Sequence, residues 1–243
     1  SKLYIDAAVA KLVYVDSLSL DKKLADYLPD LVDRIENSKT ITLRMLLQHR
    51  SGIPDFIDHP DYPWGKPPTK IRETLELVLD LAADFSVDKR SEYSNTNYLL
   101  IGEILDNTLG YSHHHYIKKE ILLPLELYST YTLLDEVDLS DVMSGYFIGY
   151  DLDLKQNDYI IPGGSMLATA KDVGTFLRAL VDGSLLNEEE QEIYNSISKY
   201  EHTGLLPGYQ SIAKYHKDID AVVIQFINTS GGNSWSKSES VYK

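Results

Sequence analysis

Cysteine is absent from the 243 residues. That excludes disulfides, thiol catalysis and zinc–thiolate sites, and leaves the redox compartment open. Positive charge is scarce, with 23 lysines and arginines against 37 aspartates and glutamates, for a formal net charge of −14. Such a surface repels phosphate backbones and anionic lipid, so nucleic acid is not an expected partner. Long apolar runs are missing as well, and none approaches the ~18 residues that a membrane span needs. No repeat or low-complexity linker divides the chain. What remains, 43% apolar and 25% charged, has the composition of a globular fold and the length for one large domain or two small ones.

The stretch Ser1–Val13 (SKLYIDAAVAKLV) carries small and aliphatic side chains on nearly every face. A helix apolar all round is a buried one. Lys2 is out of place there unless it snorkels from a frayed first turn or serves chemistry. Further helices are expected over Lys22–Leu28, over Leu43–Gln48 capped by Thr42, and from a Thr69 cap to about Ala83. Another begins at Ser94 or Asn95, with Leu100, Ile101, Ile104 and Leu105 on one face and Gly110 past its end. Asp55–Pro68 and Asp84–Glu92 read as loops.

His113, His114 and His115 do not make a metal site by their spacing. Consecutive helical residues point about 100° apart, so a solvated cluster is expected and no metal or other cofactor is assigned. Short strand-like pieces lie between residues 131 and 160. Thr169–Asp172 carries a capping-box pattern before a helix whose apolar face is Val173, Phe176, Leu177, Leu180 and Val181; Asn187 and Glu190 form a second such pattern. Beyond Tyr194 the period changes, and Lys199–Thr203, Tyr209–His216 and Ala221–Asn228 read as an antiparallel meander. The fold class is therefore α+β.

Acyl transfer through serine needs a nucleophile, a base within hydrogen-bond reach and donors aimed at the developing oxyanion. A lysine on the first turn of a helix, three residues after a serine, shares a face with it. Tyr93-Ser94-Asn95 at a loop-to-helix junction offers a phenol as proton carrier and an amide that both donates and accepts. His202-Thr203-Gly204 lies on the first of the three strands. There Gly204 leaves room for a substrate backbone, and the Leu205 N–H points toward the cleft.

Ser1–Tyr4, Ile41–Pro54 (ITLRMLLQHRSGIP), Tyr93–Tyr98 (YSNTNY) and His202–Tyr209 (HTGLLPGY), in that order, resemble the penicillin-recognising serine hydrolases. The likeness is to class C β-lactamases, serine D-Ala-D-Ala carboxypeptidases and related esterases, and it runs from Ser1 to about Asn228. It implies that Lys2 is the lysine of S-x-x-K and the base for the serine. It also implies that Tyr93 shuttles the proton to the leaving group and that Asn95 holds the acyl amide. His202, Thr203 and Gly204 match the K-T-G strand, and the Leu205 N–H is half of the oxyanion hole. A histidine in place of that lysine resembles the carboxypeptidase and esterase members, which makes esterase or peptidase chemistry the firmer expectation and β-lactam turnover the weaker one.

The resemblance further implies one incomplete β-lactamase-like module. A mainly helical subdomain would span about 14–165, and an α/β subdomain would comprise 1–13 and about 166–243 with three of the family's sheet strands. The family's nucleophile lies three residues before Lys2, ahead of Ser1, as do an opening helix and two strands. The expectation is a piece of a longer protein. The missing part being supplied by another chain, or a naturally shortened inactive relative, are the alternatives. Relatives are mostly exported or membrane-anchored, which sets the expected location.

No other serine substitutes well. Ser196-Ile197-Ser198-Lys199 fits S-x-x-K in letters but runs toward a strand, where residues three apart face opposite sides. Ser165 lacks the second flank of a G-x-S-x-G elbow. Asp6, one turn after Lys2, either raises the lysine pKa and dampens the base or turns to water or a backbone donor. The expected function is a serine acyl hydrolase acting on a D-amino-acid peptide, ester or β-lactam. The competing reading is a non-catalytic relative that binds peptides or partners.

Overall fold

The apolar opening stretch forms helix α1 (Lys2–Tyr14) in a computed structural model that describes residues 1–243. Every residue from Leu3 to Ala10 is buried, as an all-round apolar helix must be. Lys2 is only 5% exposed and Asp6 only 2%, so neither snorkels nor turns to water.

The next segments are short: α2 (Leu24–Tyr27), α3 (Leu43–Leu47) and α4 (Ile71–Leu75). Thr42 caps α3 by accepting from the Met45 N–H at 3.3 Å. Helix α4 departs from the expected span to Ala83, and Thr69 is not its cap. Asp80 takes a positive φ of 65° and gives its N–H to the Arg34 carbonyl, while the Arg34 guanidinium binds both Glu76 and Asp80. This tertiary clamp rolls residues 76–80 into turns, yet Leu75, Val78 and Leu79 stay buried. Leu81, expected on the same stripe, is exposed.

Helix α5 (Thr96–Leu109) lies at the centre, with α3, α4 and α6 (His113–Ile117) packed on it. Asn95 occupies the N-cap position but makes no capping bond, because its side chain is used elsewhere. The histidine cluster is not uniformly solvated. His113 is 1% exposed, its Nδ1 lies 2.7 Å from Asp106 Oδ1, and only His115 of the three is exposed. A π turn over 118–122 follows.

Strand β1 (Thr130–Tyr131) pairs antiparallel with β3 (Leu167–Ala168), and β2 (Tyr146–Phe147) pairs parallel with β7 (Thr229–Ser230). Between them come α7 (Ala170–Asp182) and α8 (Glu188–Ile197). Asn187 and Glu190 complete a reciprocal capping box, both bonds at 2.9 Å. The Thr169 box is only half made. Thr169 accepts from the Asp172 N–H, but the Asp172 carboxylate turns to Ser129 and Thr130.

The meander is β4 (Glu201–Leu206), β5 (Tyr209–His216) and β6 (Ala221–Ile227), in that spatial order. Leu206 pairs with Tyr209, so β4 runs three residues past its expected end and Pro207-Gly208 alone make the turn. Helix α7 covers β5 and β6, α1 lies against α8, and Tyr4 stacks on Phe176 with ring centroids 3.7 Å apart. Helix α9 (Ser234–Tyr242), for which the sequence raised no expectation, packs on β5 and β7. One continuous buried cluster joins α1, α5, α7 and β5, so the elements that carry the candidate residues share a single core.

Candidate active site

Lys2 stands on the first turn of α1, where burial would expel its charge unless acceptors met it. Its Nζ donates to Asn95 Oδ1 at 3.1 Å and to the Gly163 carbonyl at 3.0 Å. It also lies 5.2 Å from the centroid of the Tyr93 ring and 5.1 Å from that of Tyr98. A methyl group at Gly163 would sit 2.8 Å from Nζ and 3.1 Å from Tyr98 Cβ, so a side chain there would displace the amine. Burial pulls the lysine down to about 8, with Asp55 and then Asp6 opposing that fall. Asp6 thus raises the pKa in the expected direction, but as the lesser of two carboxylates and against a larger desolvation.

Asp6 itself is tied to protein groups. Tyr98 Oη donates to one carboxylate oxygen at 2.7 Å and Ser198 Oγ to the other at 2.6 Å. Burial nevertheless lifts its pKa to about 6. Ser198 therefore serves as a donor to Asp6. Ser196, at the end of α8, donates to the Ile193 carbonyl, so neither serine of the S-x-x-K look-alike is set against Lys199.

Tyr93 is half-exposed. Partial burial and the Asp55 and Asp6 carboxylates push its phenol well above the ordinary value. Of the two groups able to take a proton from a hydroxyl, the amine is by far the closer to neutral pH. Two imidazoles flank the phenol: His49 with ring centroids 4.4 Å apart and His202 at 6.3 Å. Burial and the nearby Lys2 hold both down to about 4, so both are neutral at pH 7. His49 Nδ1 accepts from the Ser94 N–H at 3.2 Å, which leaves its proton on Nε2. His202 Nδ1 bonds the Thr203 carbonyl, which leaves its Nε2 free to accept.

The register of β4 shows what its edge offers. Tyr215 N–H donates to the Tyr200 carbonyl, and bonded and non-bonded pairs alternate along an antiparallel ladder. His202, Gly204 and Leu206 therefore bond inward to β5, while Thr203 and Leu205 turn their backbone groups out from the free edge. The Leu205 N–H is an outward donor on the strand that carries His202. Gly204 has a local reason for lacking a side chain: a Cβ there would meet Ser211 Oγ at 2.4 Å.

The fold brings together Lys2, Tyr93, Asn95 and His202, with Thr203, Gly204 and Leu205 on the same strand as His202. Asp55, His49, Tyr98 and the Gly163 carbonyl belong to the same cluster but were not singled out from the sequence. His49 and Tyr98 do fall inside motif stretches. Asp55 directly follows Pro54 at the end of one of them, the only signal it gave. No group of three or more histidine and carboxylate side chains converges to hold a metal ion.

A family model described as Beta-lactamase matches residues 1–204. The chain belongs to the beta-lactamase family. Penicillin-binding protein 4 of Amycolatopsis lactamdurans is 28% identical over 191 residues, which is 75% of this beta-lactamase-family chain and 49% of the relative. The chain thus spans about half the length of that curated relative. Among solved structures, a D-stereospecific amidohydrolase from Streptomyces sp. superposes with a TM-score of 0.85 at 20% identity, covering 99% of this chain and 84% of the other. The D-amino acid amidase of Ochrobactrum anthropi SV3, solved with L-phenylalanine, gives 0.82 at 22%, covering 95% and 75%. At such identities the likeness is one of fold, and that fold is the β-lactamase and penicillin-binding-protein type of α+β architecture.

Proposed function

We propose that this chain is the base-and-binding part of a serine acyl hydrolase that acts on a D-amino-acid amide, peptide or ester through an acyl-enzyme. The observation that carries the reading is the Lys2 amine, buried yet held by two neutral carbonyl acceptors and brought down to about 8. At pH 7 about one such amine in ten is neutral, against fewer than one in a thousand at the ordinary lysine pKa. A serine three residues before Lys2 would give its proton to this amine as its oxygen attacks the substrate carbonyl. The outward Leu205 N–H, with the serine's own N–H, would receive the oxyanion. Tyr93, still protonated, would pass a proton to the leaving group and regain it from the Lys2 ammonium. In deacylation the neutral amine would take a proton from the attacking water, and the serine oxygen would leave with one returned through Tyr93. The two structural neighbours, a D-stereospecific amidohydrolase and a D-amino acid amidase, support the D-amino-acid substrate class, and the edge of β4 suits an extended backbone. An exported or membrane-anchored location is part of the same proposal.

The test uses the full-length protein. After incubation with a fluorescent penicillin and, separately, a fluorophosphonate, peptide mass spectrometry locates any adduct. The expected result is an adduct on the serine preceding Lys2, formed at a rate that rises with pH through about 8. No adduct with either probe overturns the catalytic reading and supports a non-catalytic relative that binds cell-wall peptides or partner proteins.

A further inference from the structure

A base needs its lone pair as well as its pKa. A neutral lysine amine has two N–H bonds and one lone pair. Here two acceptors are fixed beside it, Asn95 Oδ1 and the Gly163 carbonyl, one for each N–H. With both donated, the lone pair is left pointing away from both acceptors, into the remaining open direction. This holds only while the Asn95 amide presents its carbonyl. Rotated by 180°, the amide would aim an NH2 donor at Nζ and occupy the lone pair instead.

What fixes the rotation is Asp55. Its Oδ2 accepts from Asn95 Nδ2 at 2.9 Å, and its Oδ1 caps the 3-10 turn at Phe56–Asp58 through the Ile57 N–H at 3.4 Å. A carboxylate only accepts, so it selects the NH2 edge of the amide and sends the carbonyl edge to Lys2. The loop is stitched to the same junction on both sides of Asp55. Thr96 Oγ1 donates to the Pro54 carbonyl at 2.7 Å and accepts from the Phe56 N–H at 3.0 Å. Asp55 is therefore clamped against the residue it orients.

We propose that Asp55 is a positioning residue: by holding the amide edge of Asn95 it keeps the Lys2 lone pair free to accept the serine proton. One consequence is that the Asn95 NH2 is partly spent within the protein, with one hydrogen left for a substrate carbonyl. The inference rests on the proposed hydrolase reading, and its test separates the two. The charged and titratable groups that face the Lys2 amine are Asp55 from the loop, Asp6 from its own helix, Tyr93 and Tyr98 around α5, His49 after α3 and His202 on β4.

The experiment measures, in the full-length protein, the acylation rate by a fluorescent penicillin across pH and the Lys2 titration by NMR with labelled lysine. Asp55→Asn keeps an oxygen that can accept from Asn95 but removes the charge. Asp55→Ala removes both. Above the Lys2 pKa, where the amine is neutral in every variant, Asp55→Ala is expected to acylate about 10- to 100-fold more slowly. Asp55→Asn should stay within about threefold of the wild type. In both variants the Lys2 pKa should fall, since Asp55 raises it. A role confined to folding would lower thermal stability in proportion to the rate and shift the Lys2 titration equally in the two variants. Wild-type acylation by Asp55→Ala, or equal losses in the two variants at high pH, overturns the proposal. If the wild type itself is not acylated, the hydrolase reading fails. The NMR arm then decides alone: loss of the charge is common to both variants, so a Lys2 pKa that falls no further in Asp55→Ala than in Asp55→Asn overturns the positioning role.

Discussion

Gly163→Ala places a methyl group where the Lys2 amine sits. The new Cβ would lie 2.8 Å from Nζ, 3.0 Å from Cε and 3.1 Å from Tyr98 Cβ. Gly163 has no positive φ, so its backbone accepts alanine and the whole effect falls on these neighbours. Ordinary contact begins near 3.4 Å, so the amine must retreat by about 0.6 Å. Tyr98 cannot yield to make room, because its ring is buried and its hydroxyl is bound to Asp6. The retreat disturbs the bonds from Nζ to the Gly163 carbonyl at 3.0 Å and to Asn95 Oδ1 at 3.1 Å. Misplacing a base on this scale costs about 10- to 100-fold in rate, or about 1.4–2.7 kcal/mol of transition-state stabilisation. Overpacking adds a stability loss of about 1–3 kcal/mol. Single-turnover acylation of full-length protein, read beside a urea melt, separates the two effects. A variant that acylates at the wild-type rate while folded would refute the claim that the Gly163 contact positions the amine.

Two stability effects follow from buried polar groups. The folded pKa of Asp6 is raised to about 6 from an unfolded 3.8, so its contribution is fully present below pH 3.8 and lost as pH rises through 6. Asp6→Asn cannot ionise. The unfolding free energy of the wild type minus that of Asp6→Asn should therefore fall by up to about 3 kcal/mol between pH 3.5 and pH 7. Urea titrations at the two pH values check this, and a pH-independent difference counts against it. Asn187→Ala removes one half of the α8 capping box and should cost about 1 kcal/mol in the same assay. Acylation should be unchanged, since α8 lies behind α1.

Where local chemistry decides conformation, the elements can be read from residue order. The all-round apolar run of α1, the Thr42 and Asn187 caps, the stop at Gly110 and the period-2 strands after Tyr194 are of this kind. The errors arise where a distant residue overrides the local pattern. Thr69 to Ala83 has a helical stripe, but the Arg34 clamp on Glu76 and Asp80 breaks it. Asp172 fits a capping box, but Ser129 and Thr130 claim its carboxylate. His113 sits in a polar run yet is buried against Asp106, seven residues away. Within the site, Lys2, Tyr93, Asn95 and His202 stood out because their residue types and order match a known chemistry. Asp55 and Gly163 did not, because one acts through another side chain and the other through a carbonyl and a missing methyl.

Sequence by itself determined which groups this chain owns: a lysine at the head of a buried helix, a phenol and an amide before another helix, and an imidazole on a strand. It also determined the family those groups belong to, since their residue types recur in that family's motif order and its model matches residues 1–204. Only the tertiary structure decided how the lysine is held and at what pKa. Those depend on which carbonyls meet it, at 93 and 161 residues' remove, and on how completely the core strips it of water. Desolvation and hydrogen-bond direction belong to the packed molecule, and no stretch of chain carries them alone.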